Sequence, residues 1–481
     1  MCGMRRTIFL GLATAVACLL AARSISNAQQ SASVTSSDPI ELVRAWLDID
    51  DTAVRASLAR QIAAHRDYRP SRVREWLHRA ARFPSLRAGI DVMRVEVGED
   101  DSRQVVIRVP DGYRPDRQWP LVYALHPSGA HAAEWTAQVE VLLGSRSKEY
   151  VIAAPNQYRQ NYIAAAPPFT PEHPAILDAV TRRVHVAHER VYVVGYSKGA
   201  FGAWYVSLYY PDRFAAAVSL AGAFDVAVDD DGLWKTLVTN VAHLPVLNVW
   251  GDGDTLPVRG LDGRLAGTFS AQNRRFRQLV SGMGLPITNI EVPGAGHRNL
   301  TPPLEPVENA LLDRRREDPK RIDHVFRHLH QASCYWLEGL SWVGDRWGET
   351  KPPLPAAQPG ETERHVIARA LESLLGRLSG TIDRQTVRVS RRHIGDLVIW
   401  FGERTIDWTR PVVIEVDGAK VFEGTLERNL GVCLARAAAT WDFEALRWAG
   451  VKVDVSGKAV VLTSENVPAP AWKAGNVAGG D

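Results

Sequence analysis

Cysteine is scarce in this chain of 481 residues. Two of its four cysteines, Cys2 and Cys18, fall in an N-terminal segment that reads as a leader. The remainder can form one disulfide at most, between Cys334 and Cys433, and an exported compartment would permit it. Whether the two meet is open; unpaired, each suits a small buried apolar residue better than a reactive thiol. Charge of one sign is lacking too: 57 basic residues face 54 acidic ones, and no long basic block is interleaved with aromatics, which excludes nucleic acid as a partner. No repeat of solenoid or propeller spacing is present. What remains is ordinary globular material, 46% hydrophobic and 23% charged, long enough for two or three domains.

The first residues carry an export pattern. Arg5 and Arg6 supply a positive start, Thr7 to Ala22 an apolar stretch, and Ser26-Asn27-Ala28 small residues for cleavage, so residues 1–28 are expected to be a signal peptide. The apolar stretch is short for a bilayer span, and a polar Ser/Gln/Thr segment follows it at once, so no stable membrane association is expected after cleavage. Arg5-Arg6-Thr7-Ile8 partly resembles a twin-arginine signal, and Ala15-Val16-Ala17 before Cys18 is a poor lipidation sequence. The expected location is secreted or periplasmic.

Residues 37–85 read as a small helical preface. Asp38-Pro39 opens one segment, Asp51 caps Thr52 to His65, and Pro70-Ser71 precedes Val73 to Phe83. Leu58, Ile62, Val73, Trp76 and Leu77 recur at three- and four-residue spacings. From about residue 88 the pattern turns to apolar strand-like runs: Val105 to Val109, Leu121 to Leu125, Tyr150 to Ala154, Val191 to Val194, Ala215 to Leu220 and Val246 to Trp250. Helical stretches such as Pro174 to His188 and Ala200 to Tyr210 alternate with them, which predicts an α/β domain over 86–317 with a mainly parallel sheet covered on both faces. Beyond the charged segment Asp313 to Arg321, a C-terminal β-rich domain is expected over 320–473. Its strands are Val387 to Ser390, Leu397 to Phe401 and Val412 to Val416, with an Asp417-Gly418 turn leading into Lys420 to Phe422. Gly348 to Gly360 reads as a linker and Glu361 to Leu378 as a helix.

The chemistry concentrates in Gly195-Tyr196-Ser197-Lys198-Gly199, between the apolar strand Val191 to Val194 and a helical run. A G-x-S-x-G segment in that context makes a sharp strand-to-helix turn that exposes a serine hydroxyl, and flanking glycines clear the approach. Serine is a weak nucleophile until a base takes its proton and a third group orients the base. Downstream, Gly251-Asp252-Gly253-Asp254 follows a strand end, and His297 sits in the Gly-rich loop Val292 to His297. Ser197, then Asp254, then His297 is the chain order of an α/β-hydrolase triad, Asp254 being preferred over Asp252 because it completes a Gly-x-x-Asp spacing. Acyl transfer also needs N–H donors for an oxyanion. The backbone of Lys198 is one candidate. The other comes from His126-Pro127-Ser128-Gly129, where Pro127 has no N–H and the choice lies between Ser128 and Gly129. Trp135, Tyr158, Tyr162 and Trp250 are candidate substrate contacts, and the long Asn156 to Pro174 loop is a wall or lid or else a packed surface loop. His328 and His330 would share one face of a strand but lack a third ligand, so no metal site is assigned, and Asp229-Asp230-Asp231-Gly232 reads as a solvated turn.

Residues 88–316 resemble the α/β-hydrolase superfamily, in particular secreted esterases related to polyhydroxybutyrate depolymerases, feruloyl esterases and prolyl-oligopeptidase-like hydrolases. The likeness extends to Trp119-Pro120-Leu121-Val122, Arg190-Val191-Tyr192-Val193 and Tyr210-Pro211-Asp212-Arg213-Phe214-Ala215-Ala216. It implies the same three triad residues and no cofactor. The helical preface and β-rich tail resemble uncharacterised bacterial exported hydrolases through Thr405 to Pro411 and Phe422-Glu423-Gly424. The expected activity is serine-dependent cleavage of a small-molecule or polymeric carboxylic ester through an acyl-enzyme. Two other readings stand beside it: a serine peptidase using the same triad, and a non-catalytic polysaccharide-binding protein on a hydrolase scaffold.

Overall fold

The structure, a computed structural model, describes residues 36–98, 101–156, 171–224, 230–259, 265–302, 304–312, 314–343 and 354–474. The expected signal peptide, Tyr158, Tyr162 and Asp229 lie outside them. Among the described residues no helix is long and apolar enough to cross a membrane.

The chain divides between Arg82 and Phe83 into two compact units. The first is a set of three helices: α1 (Pro39–Asp48), α2 (Thr52–Ala64) and α3 (Val73–Ala80). Asp38 caps α1 by accepting the N–H of Ile40, and Asp51 caps α2 by accepting that of Val54, each satisfying a donor the helix itself cannot use. The expected third helix, drawn to Phe83, ends at Ala80, where extended Ala81 gives its N–H to Leu77. Trp46, Ile62, Val73, Trp76 and Leu77 are buried.

The second unit is a mixed α/β structure built on a large sheet. Its elements, in order, are β1 (Gly89–Gly98), β2 (Asp101–Val109), β3 (Trp119–Leu125), α4 (Ala132–Leu143), β4 (Val151–Asn156), α5 (Glu172–Arg183), β5 (Val186–Tyr196), α6 (Lys198–Tyr209), β6 (Ala216–Leu220), α7 (Asp231–Val238) and β7 (Val246–Gly251). A short hairpin follows, β8 (Pro257–Arg259) with β9 (Leu265–Thr268), then α8 (Phe269–Val280), β10 (Ile287–Val292) and α9 (Leu304–Leu312). The sheet order is β1-β2-β4-β3-β5-β6-β7-β10. From β4 to β10 every pairing is parallel, while β1 and β2 form an antiparallel edge. β3, β6 and β7 are buried at every position, as strands covered on both faces must be.

Three expected boundaries shift. The helix drawn over Pro174 to His188 stops at Arg183, because Val186 pairs with Trp119 and opens β5. The helix drawn over Glu361 to Leu378 is Glu363–Leu374, and Gly376 begins a strand paired with Phe326. His328 and His330 do not alternate along a strand: His328 caps the 3-10 turn Leu329–Gln331, and the two imidazoles stack 5.5 Å apart.

Residues from 321 onward form two five-stranded sheets. One contains Arg321–Phe326, Gly376–Asp383, Thr386–Arg392, Val412–Val416 and Ala419–Gly424; the other is centred on Leu397–Gly402 and Arg447–Val453. Their apolar residues join those of one face of the eight-stranded sheet in a single continuous core, where Tyr205, Tyr209 and Val241 lie in the same cluster as Val325, Trp336 and Leu378. Cys334 and Cys433 are buried free thiols, so the one disulfide the composition allowed is not formed.

Candidate active site

The nucleophile candidate sits where β5 turns into α6. Ser197 has φ 53° and ψ −114°, a conformation that costs a non-glycine residue of order 1–3 kcal/mol and persists only where its surroundings hold it. Those surroundings are visible. The Ser197 N–H donates to the Leu220 carbonyl of β6 at 2.8 Å, and its own carbonyl accepts the N–H of Ala200 at 2.9 Å. A Cβ on Gly195 would lie 1.9 Å from the Gly199 carbonyl oxygen, and one on Gly199 would lie 1.9 Å from that of Leu125. Both glycines are therefore required sterically, which is the physical content of the motif.

The acid and base loops are stitched together. Asp252 gives its N–H to Val292 at 3.1 Å and its carboxylate accepts the N–H of Gly294 at 2.8 Å. Gly253 donates to Ala295 at 2.9 Å. This register places His297 between two side chains: Ser197 Oγ is 2.8 Å from its Nε2, and Asp254 Oδ2 is 2.7 Å from its Nδ1. Asp254 is 0% exposed, and it also accepts the Leu256 N–H through Oδ1 at 3.4 Å. With Asp254 ionised, Nδ1 carries the proton and Nε2 is left to accept from the serine hydroxyl. The three triad candidates thus meet in one place: Asp254 reaches the imidazole, while the Asp252 carboxylate accepts an N–H of the base loop.

The oxyanion candidates belong to the start of α6 and to the loop after β3. Lys198 is the first residue of α6, a position whose N–H has no partner within the helix. Leu125, the end of β3, pairs with Gly195, so the loop that follows starts beside that helix end. Ala130 donates to Pro127 across a turn at 3.3 Å with Ser128 and Gly129 at its centre, Gly129 at φ 80°, which leaves the choice between them open. Burial lowers the pKa of the Lys198 amine, opposed by Glu172, and that of His126 likewise, opposed by its hydrogen bond to Pro127.

Aromatic rings surround the imidazole. Phe269, at the head of α8, lies 5.1 Å from the His297 ring and 5.8 Å from Phe201, and Tyr196 lies 6.3 Å away on another side. Of the expected substrate contacts, Trp135 is 6% exposed and edge-on to Tyr196 at 5.9 Å, and Trp250 is 0% exposed beneath Arg277. Phe269 was missed in sequence, and it carries no motif that would have marked it. Among the described residues no cluster of His, Cys, Asp and Glu could hold a metal ion.

No family model matches the chain. A stretch of 89 residues is 32% identical to a curated protein of Nocardia uniformis subsp. tsuyamanensis named "Putative esterase NocK". That stretch is 18% of this chain and spans only 23% of the relative. Solved structures that resemble the chain include esterases and a poly(aspartic acid) hydrolase. A thermostable esterase is 19% identical with a TM-score of 0.35, over 47% of this chain and 63% of its own. The poly(3-hydroxybutyrate) depolymerase LpqC of Bordetella parapertussis is 18% identical with a TM-score of 0.35, over 44% and 86%, and a ferulic acid esterase is 16% identical with a TM-score of 0.35, over 47% and 96%.

Proposed function

We propose that the chain is an exported serine hydrolase of the α/β-hydrolase fold that cleaves carboxylic esters through Ser197, His297 and Asp254. The observation that carries this reading is the hydrogen-bonded run from a strained serine through an imidazole to a fully buried carboxylate. Ser197 attacks the ester carbonyl while His297 Nε2 takes its proton. Asp254 holds the ring in the correct tautomer and stabilises the imidazolium. The Lys198 N–H, with one from Ser128 or Gly129, receives the developing oxyanion. His297 then returns the proton to the departing alcohol, leaving an acyl-Ser197 ester. Water, deprotonated by the same Nε2, attacks that ester; the acid leaves, and the proton returns to Ser197. The Arg5-Arg6 leader supports delivery outside the cytoplasm, where the substrate would be a small or polymeric ester.

The purified chain should hydrolyse p-nitrophenyl acetate and butyrate and take up a fluorophosphonate probe, and Ser197→Ala should abolish labelling and lower kcat by about 10³-fold or more. A folded wild type that neither turns over these esters nor labels would end this reading, and a preference for peptides would redirect it to a peptidase.

A further inference from the structure

Tyr196 fills the variable position just before the nucleophile, and its side chain does not point away from the chemistry. Its hydroxyl donates to the backbone carbonyl of His297 at 2.6 Å, across a separation of 101 residues. Its ring packs edge-on against the imidazole at 6.3 Å and against Trp135 of α4 at 5.9 Å. Trp135 is in turn buried with Val139, Leu143, Val194 and Leu220. A rigid path therefore leads from the core beneath β5 and α4, through an indole and a phenol, to the main chain of the base itself. Other side chains support that loop earlier, at Gly294 and Gly296, where Asp252 and Asn299 accept N–H groups at 2.8 and 2.6 Å. Only Tyr196, among the described residues, hydrogen-bonds the His297 backbone through a side chain.

We propose that Tyr196 is a positioning residue that sets the reach of His297 between Ser197 and Asp254. The inference rests on the reading of those three residues as base, nucleophile and acid. Nucleophile and base come from strands at different places in the sheet, β5 and β10, so their spacing is not fixed by one local turn. Tyr196 ties them directly, because it is the neighbour of the serine and holds the carbonyl of the histidine. Releasing that carbonyl lets the imidazole drift from both partners. Misplacement of this kind slows the chemical step without altering how substrate binds. It also weakens the Nδ1 bond to Asp254, which stabilises the imidazolium over the neutral ring.

The test is Tyr196→Phe in the full chain, with p-nitrophenyl acetate as substrate. The expected result is a fall in kcat of about tenfold with KM unchanged, and an acid limb of the kcat/KM profile displaced toward lower pH. The substitution removes one hydroxyl and keeps the ring, and rates are read well below the melting midpoint of the variant. A wild-type kcat and pH profile would overturn the proposal. So would a fall in activity whose acid limb stays in place, since that is what loss of stability alone produces. Ser197→Ala, assayed beside it, separates the two layers: turnover surviving there sinks the triad reading itself, whereas an inactive Ser197→Ala beside an unaltered Tyr196→Phe sinks only the role of the tyrosine.

Discussion

Asp252 and Asp254 stand at the end of β7 with the same functional group and different work. The Asp254 carboxylate is enclosed and bonded to the imidazole, while that of Asp252 takes a backbone N–H at the start of the base loop. Asparagine can still accept that N–H, but at Asp254 it removes the charge that, in the proposed triad, steadies the imidazolium. Asp254→Asn should therefore cost about 10³-fold or more in kcat, Asp252→Asn less than about threefold, and Asp252→Ala an intermediate amount. Steady-state kinetics on the three variants check it; a larger loss at Asp252→Asn than at Asp254→Asn would reverse the assignment. Much at this scale was legible beforehand. Ser197 and His297 are marked by their glycines and their order in the chain, because steric demands on backbone leave a signature in residue type. Tyr196, Phe269 and the burial of Trp250 were not, because a ring set against a partner a hundred residues away has no local pattern to betray it.

At the scale of elements, the elbow depends on three strands meeting one helix within atomic contact. β5 delivers Ser197, β6 anchors its N–H, and the end of β3 lies where a Cβ on Gly199 would fall. Gly199→Ala forces either the Leu125 carbonyl or the first turn of α6 to move. It should destabilise the protein by at least about 2 kcal/mol and lower fluorophosphonate labelling more steeply than stability, as read from urea midpoints and labelling rates on one preparation. An alanine variant of wild-type stability and reactivity would show that the contact relaxes freely. The alternation of apolar runs with helical stretches foretold β2 to β7 and α6. β1 and β10 escaped notice because they lie at the sheet edges, where most positions are only partly buried and the apolar signal is diluted.

On the scale of the molecule, two ion pairs, that of Arg316 with Asp442 buried and that of Arg447 with Asp318 open to solvent on the Asp318 side, join the α/β sheet to the β-rich region. Arg316 donates to the Asp212 carbonyl at 2.6 Å and pairs with Asp442 at 2.5 Å, and Arg447 grips Asp318 with both of its amino groups. Burial opposes ionisation of Asp442 and Asp318, yet Arg316 and Arg447 outweigh it and hold both carboxyls below the usual carboxylate range. Such groups add stability that is complete above the unfolded value of about 4 and is lost as pH falls toward the folded one. His173 works in a higher window. Burial, then Arg103, pushes its pKa down to about 3, so below about pH 6.5 the unfolded chain binds a proton that the fold refuses, at a cost near 1.4 kcal/mol per pH unit. The melting temperature should begin to fall below about pH 6.5 and fall faster below about pH 4. Asp442→Asn should lose about 3 kcal/mol at neutral pH, by taking from Arg316 the carboxylate it pairs with, and should blunt the steeper fall. A melting temperature flat from pH 7 to 4 would contradict the account.

The helix behind the nucleophile is finished by residues far down the chain. Asn240 bonds the Leu208 carbonyl and the backbone of Val325, Gln331 reaches the Tyr205 hydroxyl, and Tyr335 gives its N–H to Asp212. A ribosome delivers Ser197 more than a hundred codons before the last of these partners, and Asp442 arrives later still. The nascent chain therefore carries the proposed nucleophile well before α6 can be held at its far end.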